Sequence, residues 1–204
     1  MQNERLKQRT IETYDTSADA LAEYFKGIGP RVKDINRAFE LAGKPENPRV
    51  LEIGCGDGRD AKDIVTRTDQ YRGFDISKSM VELARQHVPE GIFEVADALE
   101  YDYPENLDIV FAFASLLHLD KEEVGQVLGK VHAALRPGGI FYISLKERPE
   151  YADEIKNDQY GSRLFFFYNA DLIAGMTADT FEVAAVSGER IGSTDWFEIA
   201  LRKN

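Results

Sequence analysis

The sequence has one cysteine and lacks any long apolar run. Cys55 has no partner for an intramolecular disulfide, and no uninterrupted apolar stretch approaches the roughly 18 residues of a membrane-spanning helix. The start, Met1-Gln2-Asn3-Glu4-Arg5, is polar and contains no apolar signal region. These absences predict a soluble, cytoplasmic protein without membrane contact.

Positive charge is also scarce. Lys and Arg number 25 against 36 Asp and Glu, giving a formal net charge of -11, whereas nucleic-acid binding usually needs a basic face. Repeats, low-complexity tracts and proline-rich linkers are absent from the 204 residues. We therefore expect one domain over residues 1–204 that does not bind nucleic acid.

Glycine, in contrast, is concentrated at one place. The apolar run Val50–Ile53 leads into Gly54, Gly56 and Gly58, and a second short apolar run ends at Asp75, roughly 20 residues on. Such a layout predicts a nucleotide-type ligand at the end of a strand, although a tight turn without ligand has the same glycines. Arg59 stands where a dinucleotide fingerprint needs its third glycine.

Apolar patterning predicts strands and helices in alternation from residue 49 onward. Strands are expected at about 49–54, 70–75, 92–96, 107–113 and 139–145, and helices at about 58–67, 78–87 and 121–135, the last capped by Asp120 and Glu123. This order predicts a parallel sheet covered on both faces. The runs 180–186 and 196–201, joined by a loop with Gly188 and Gly192, predict an antiparallel hairpin that places an antiparallel strand at the sheet edge.

Two further helices are expected before the sheet, over about 16–25 and from Pro30 to Gly43, after a loose polar start. Residues 146–168 are polar and aromatic, without a clear periodicity, and a short helix is expected near 170–175.

The ordered motifs resemble those of class I S-adenosylmethionine (SAM) dependent methyltransferases. They are Leu51-Glu52-Ile53-Gly54-Cys55-Gly56-Asp57-Gly58, Phe74-Asp75-Ile76-Ser77, Ala96-Asp97-Ala98, Asp108-Ile109-Val110-Phe111 with Ser115-Leu116-Leu117-His118, and Leu135-Arg136-Pro137-Gly138-Gly139. The resemblance implies a Rossmann-like α/β fold, whose seven-stranded, mostly parallel sheet has an antiparallel last strand and helices on both faces. It also implies SAM as cofactor and S-adenosylhomocysteine as product.

The resemblance also implies which residues contact the cofactor and which part of it each one contacts. Asp75 can accept hydrogen bonds from both ribose hydroxyls; a helix N-cap acid, with Ser77 competing for that position, is the alternative. Asp97 resembles the family position that meets the adenine amino group, and an unliganded loop acid is its alternative. The full set implied by the resemblance is Glu52, Gly54, Cys55, Gly56, Asp75, Ile76, Met80, Asp97, Ala98, Ala114 and Ser115; Met80 is equally compatible with the core. No metal site is predicted.

The other side of the site is expected to bind a methyl acceptor. We expect residues 1–44 to form a helical lid over a core of residues 45–204, with 146–168 on the acceptor side. His118 and Tyr14 are the candidate catalytic residues, with packing as the alternative for both. Candidate acceptor contacts are Tyr24, Arg148, Tyr160 and Arg163.

Residues 112–115 replace the Asn-Pro-Pro-Tyr type of tetrapeptide found in amino-methyltransferases of nucleobases and glutamine. With the acidic charge, this favours a small-molecule acceptor. A SAM-binding module without catalysis is the main alternative, and an NAD-dependent oxidoreductase is disfavoured by Arg59. We expect a monomer or a homodimer.

Overall fold

The computed structural model describes residues 2–204, with side chains from Glu4 onward. The helices are α1 (Gln2–Thr16), α2 (Ala18–Ile28), α3 (Val32–Leu41), α4 (Ala61–Ile64), α5 (Lys78–His87), α6 (Lys121–Ala134) and α7 (Ala170–Thr177), with a 3-10 helix at Leu116–His118. The strands are β1 (Val50–Ile53), β2 (Tyr71–Asp75), β3 (Ile92–Val95), β4 (Leu107–Phe113), β5 (Leu135–Lys146), β6 (Ala152–Asp158), β7 (Gly161–Phe167), β8 (Phe181–Ile191) and β9 (Thr194–Lys203).

Seven strands form one sheet in the order β3-β2-β1-β4-β5-β9-β8. The first five strands are parallel, and β9 runs antiparallel to both of its neighbours. This confirms the predicted Rossmann-like sheet with an antiparallel last strand. The prediction that the antiparallel strand lies at the edge is wrong. Leu201 on β9 pairs with Phe141 on one side and Val183 on the other, so β8 is the edge strand.

Alternating side chains of the parallel strands supply two cores, one on each face of the sheet. On β1, Val50 packs into the core under α3, α4 and α5, whereas Leu51 and Ile53 pack into the core under α6 and α7. All four residues of β1 are buried, which is typical of a central strand covered on both faces.

Three predicted segments differ from the structure. The chain begins as helix α1 rather than as a loose start, and the helix expected over 58–67 is limited to Ala61–Ile64. Gly188 lies within β8, so the β8–β9 connection is shorter than expected. Gly54, Gly56 and Gly58 all have positive φ, and this extended turn consumes residues that the apolar pattern assigned to the helix.

Residues 146–168 fold into a separate two-stranded hairpin, β6–β7. Six consecutive residues of β7, Ser162–Phe167, are buried, whereas β6 is largely exposed. A strand buried on both faces has no alternating pattern, which explains why the sequence did not reveal it. The helix 78–87 and the Asp120–Glu123 capping pair are confirmed. Over residues 2–204, no helix is both long and apolar enough to span a membrane.

Candidate functional site

A cavity of about 660 Å³ opens at the carboxyl ends of β1, β2 and β4 and is walled by α1. This is the edge at which open parallel sheets bind ligands, and the volume lies in the range of small-molecule sites. Its lining includes all eleven cofactor-contact residues predicted from the motifs: Glu52, Gly54, Cys55, Gly56, Asp75, Ile76, Met80, Asp97, Ala98, Ala114 and Ser115.

The glycine turn after β1 brings two strand ends into close contact. Gly54 has φ +70°, and a Cβ at this position would lie 2.3 Å from the Cβ of Ser115. Only glycine therefore fits. The Ser115 hydroxyl oxygen is buried and has no hydrogen-bond partner among the described residues. An unsatisfied hydroxyl at a cavity wall fits a site that receives a polar ligand.

Asp75 connects this turn to the start of α5. One carboxylate oxygen accepts the Gly56 N–H at 2.9 Å, and the other accepts the Ser77 N–H at 2.9 Å. Burial raises the pKa of Asp75. An ionised carboxylate has about four lone-pair positions, so two remain for a ribose diol. The cap of α5 is Ser77, whose hydroxyl accepts the Met80 N–H, so Asp75 is not needed as that cap.

Glu52 forms a buried part of the cavity wall. Its carboxylate accepts a 2.6 Å hydrogen bond from the Tyr71 hydroxyl. Burial, reinforced by the nearby Asp60 carboxylate, raises the pKa of Glu52 well above its usual value. A cationic ligand group, such as the ammonium expected here, would favour the ionised form. Burial also raises the pKa of the Cys55 thiol, so Cys55 contributes its surface and backbone rather than a thiolate.

The ends of β2 and β3 form the opposite wall. Asp97 accepts the Leu99 N–H at 2.8 Å, which leaves lone pairs of its carboxylate for a ligand amino group. Ile76 is 38% exposed and Met80 1% exposed. Ile76 therefore offers apolar surface to a ligand, while Met80 also belongs to the cluster of Ala18 and Leu21.

Tyr14 and His118 meet at the α1 side of the cavity. His118 Nδ1 lies 2.6 Å from the Leu164 carbonyl, and its Nε2 lies 3.0 Å from the Tyr14 hydroxyl. The carbonyl only accepts, so Nδ1 carries the proton and Nε2 accepts from Tyr14. Burial lowers the pKa of His118 to about 3 and raises that of Tyr14. Both groups are therefore neutral near pH 7.

Two threonines position Tyr14 by fixing α1 along β7. The Thr13 hydroxyl donates to the Ser162 carbonyl at 2.9 Å and accepts the Ser162 N–H at 3.2 Å. The Thr10 hydroxyl accepts the Leu164 N–H at 2.9 Å. These side chains satisfy backbone groups that an additional strand would otherwise pair, so β7 does not present an open edge there.

The four predicted acceptor contacts, Tyr24, Arg148, Tyr160 and Arg163, do not line this cavity. Tyr24 is 55% exposed and packs against Tyr160. Arg163 is buried behind Tyr14 and pairs with Asp158 at 2.5 Å. Arg148 pairs with Glu154 on the hairpin surface. Their roles in acceptor binding stay predictions.

Phe25, within the predicted lid, reaches the cavity from α2. Arg59 and Asp60, which form an ion pair on the cavity wall, were not predicted. Asp15 accepts hydrogen bonds from the Ser77 hydroxyl and the Ser79 N–H, which fixes the end of α1 at the start of α5. The lining positions 4, 7, 8, 10, 11 and 14 of α1 follow a helical period. This stripe on one face of the helix was the available signal, but it is mostly polar.

Comparisons with known proteins agree with this site. A methyltransferase-domain family model matches residues 50–139. Trans-aconitate 2-methyltransferase of Variovorax paradoxus is 31% identical over 109 residues, covering 52% of this chain and 41% of that relative. Ubiquinone biosynthesis O-methyltransferase of Stutzerimonas stutzeri is 29% identical over 138 residues, covering 64% and 57%. The chain thus spans about half the length of these curated relatives.

A solved structure shows the same fold at low identity. The 1,6-didemethyltoxoflavin-N1-methyltransferase of Burkholderia thailandensis, with S-adenosylhomocysteine bound, aligns with a TM-score of 0.74 and 19% identity, covering 95% of this chain and 86% of that one. The motif order, the sheet order and the family match over residues 50–139 together lead to one conclusion: the chain contains a segment that matches the methyltransferase-domain model and is similar to class I SAM-dependent methyltransferases in sequence and fold.

Proposed function

We propose that this protein transfers a methyl group from SAM to a small-molecule acceptor. The observation that carries the proposal is the cavity at the sheet's carboxyl edge, where the glycine turn, Asp75, Asp97 and the unsatisfied Ser115 hydroxyl lie together. The curated relatives, named for trans-aconitate and ubiquinone biosynthesis, support the small-molecule class.

The residues present fit SAM group by group. Asp75 would accept hydrogen bonds from the ribose hydroxyls, and Asp97 would accept one from the adenine amino group. Ile76 would pack against the base. Gly54 to Gly56 and Ser115 would approach the amino-acid part, with Glu52 as the nearby negative charge. When bound, SAM supplies a methyl group on a positively charged sulfur.

The protein's own contribution is orientation and exclusion of water. With a pKa of about 3, His118 is a poor proton acceptor at neutral pH. Its geometry suits a positioning role, in which it accepts the Tyr14 O–H and so fixes the orientation of the Tyr14 side chain at the cavity wall. Helix α1 forms the wall at this end of the cavity, where it would limit the access of water to a bound acceptor.

Isothermal calorimetry with S-adenosylhomocysteine, with NAD as the control ligand, is the direct test. We expect one site per chain and no NAD binding; absence of S-adenosylhomocysteine binding at millimolar concentration would contradict the proposal. Binding without methyl transfer to any acceptor would instead support the non-catalytic SAM-binding module. Cytoplasmic location, the absence of nucleic-acid and membrane partners, and a monomeric or homodimeric state are proposed on the composition alone.

A further inference from the structure

Arg31, the residue before α3, carries a largely buried cation whose side-chain donors are unused. Its guanidinium carbon lies 5.6 Å from the centroid of the Phe113 ring and 5.4 Å from that of the Trp196 ring. Its Nε is buried without a hydrogen-bond partner, and its ion pair with Asp34 spans 4.0 Å, which is too long for a hydrogen bond. Within the part of the chain that the structure describes, Arg31 donates a hydrogen bond only through its backbone N–H, to Asp60. A guanidinium has several N–H donors, so this side chain is open to an acceptor group.

Lys146, the last residue of β5, is a second such cation. Its Nζ lies 3.6 Å from the centroid of the Phe165 ring and 5.9 Å from that of the Trp196 ring. Among the described residues, this half-buried amine has neither a hydrogen-bond acceptor nor an ion-pair partner. Burial, together with the nearby charges of Lys156 and Arg163, lowers the pKa of Lys146 to about 8. A bound anion would act in the opposite sense and stabilise the ammonium.

The acids near these two cations accept hydrogen bonds from other groups. They are Asp34 with Tyr142, Glu198 with Ser187, Asp60 with Arg59, Glu154 with Arg148, and Asp158 with Arg163. These acids offset part of the positive charge through space. They give no hydrogen bond to the Arg31 guanidinium or the Lys146 ammonium, so what the two cations lack is an oxygen acceptor at close range.

Both cations lie at the carboxyl edge of the sheet, beside the cavity. Phe113, which lines the cavity, pairs in register with Ser144 on β5, and Lys146 lies two residues further along the same face. Lys146 in turn pairs with Trp196 on β9. The Ser144 hydroxyl oxygen is fully buried and has no hydrogen-bond partner among the described residues. Since the Arg31 guanidinium lies against the Phe113 ring, this polar group of side chains adjoins the cavity at Phe113.

We infer that the methyl acceptor carries an anionic oxygen group, a carboxylate or a phosphate, that binds the Arg31 guanidinium and the Lys146 ammonium beside the Trp196 ring. This inference rests on the proposed function and specifies the acceptor's chemical class. A guanidinium binds such a group through paired N–H bonds, and an ammonium adds a compact charge. The rings of Phe113 and Trp196 offer apolar surface to the body of the acceptor.

Trp196 is the one tryptophan of the sequence, so tryptophan fluorescence reports on this site directly. The protein saturated with S-adenosylhomocysteine is titrated at neutral pH with benzoate, phenyl phosphate and benzamide, which has the shape of benzoate without its charge. We expect a saturable change of emission with at least one anion, and binding of benzamide that is weaker by about tenfold or more. The anion that binds more tightly identifies the group as a carboxylate or a phosphate. No saturable response to either anion, or equal binding of benzamide, would overturn the inference.

Two variants test the cations separately. Arg31→Gln should weaken binding of the anion by about tenfold or more, and Lys146→Gln should weaken it severalfold. Arg67→Gln is the matched control, because it removes a partly buried arginine that lies over the Phe39 ring, away from this site; it should bind the anion like the parent. Thermal unfolding shows which variants are folded, and unchanged anion affinity in a folded variant of either cation would overturn the inference.

Calorimetry with S-adenosylhomocysteine on the same proteins separates this inference from the proposed function. We expect the parent and all three variants to bind S-adenosylhomocysteine. Loss of that binding in the parent would contradict the proposed function, whereas normal binding without a response to the anions would contradict only the anionic acceptor.

Discussion

At the residue scale, Asp75 connects two parts of the chain that the proposed cofactor would also contact. Its two oxygens bind the backbone of the glycine turn and of the α5 start. The same carboxylate therefore supports the local structure and is the proposed acceptor of hydrogen bonds from the ribose hydroxyls. Burial raises the pKa of Asp75, so on acidification this carboxylate takes up a proton at a higher pH than an ordinary aspartate does. Ligand affinity should begin to fall at that higher pH.

Asp75→Asn should lower the affinity for S-adenosylhomocysteine by about tenfold or more, because the amide accepts fewer hydrogen bonds and carries no charge. Calorimetry measures the affinity, and thermal unfolding confirms that the variant is folded. Asp19→Asn, on the exposed face of α2, is the control and should bind like the parent. A folded Asp75→Asn protein with unchanged affinity would remove Asp75 from the ribose site.

His118 allows a pH prediction with a definite sign. Its pKa is lowered from 6.5 to about 3 in the folded protein, so on acidification the unfolded chain takes up a proton first. This contribution to stability is complete above pH 6.5 and is lost as the pH falls. Between about pH 6.5 and 5 the loss amounts to about 1–2 kcal/mol.

His118→Gln should remove this part of the pH dependence. Urea unfolding measures the free energy of unfolding of both proteins at the two pH values. The pH dependences of the two proteins are then compared, and the contributions of the acids, which both proteins share, cancel. His132→Gln, near the surface of α6, serves as the control and should keep most of the dependence. Identical pH dependences for the parent and His118→Gln would show that His118 is not held neutral.

At the element scale, the contact between α1 and β7 decides whether the cavity has a wall. Thr10 and Thr13 satisfy backbone groups of β7, and Asp15 fixes the end of α1 at α5. Helix α1 has little apolar character of its own. Its position therefore depends on these specific hydrogen bonds more than on burial.

Thr13→Val should lower the free energy of unfolding by about 1–3 kcal/mol, because it leaves the buried Ser162 N–H and C=O without partners. Urea unfolding measures the loss, and faster hydrogen exchange of the Ser162 amide would locate it. Thr16→Val is a matched control, since the Thr16 hydroxyl bonds only within α1, and should change stability by less than about 0.5 kcal/mol. Equal effects would contradict the role of Thr13.

At the scale of the whole molecule, one sheet supports both the cores and the cavity, so binding should stabilise the entire chain. At 100 times its Kd, S-adenosylhomocysteine should add about 2.7 kcal/mol of stability. For 204 residues this raises Tm by about 5–11 °C. Calorimetric scanning should show a single transition that shifts as a unit, as expected of one domain. Two transitions, only one of which shifts, would contradict this.

The sequence predicted the central sheet well because its signals are local. A glycine turn, a following acid and short apolar strands are each defined within a few residues, and their order then limits the topology. The same reasoning predicted the edge position of the antiparallel strand wrongly, since hairpin length does not determine which strand of the hairpin pairs with β5.

The sequence by itself determined the resemblance to class I SAM-dependent methyltransferases, the parallel strands β1 to β5 and the residues that line the cavity at their carboxyl ends, because strand ends of a parallel sheet necessarily meet at one edge. Only the tertiary structure decided that α1 is a wall held by Thr10 and Thr13, that His118 bonds Tyr14, and that Arg148 and Arg163 lie outside the cavity. These features depend on contacts between residues more than 40 positions apart or on local ion pairing, which periodicity and motifs do not encode.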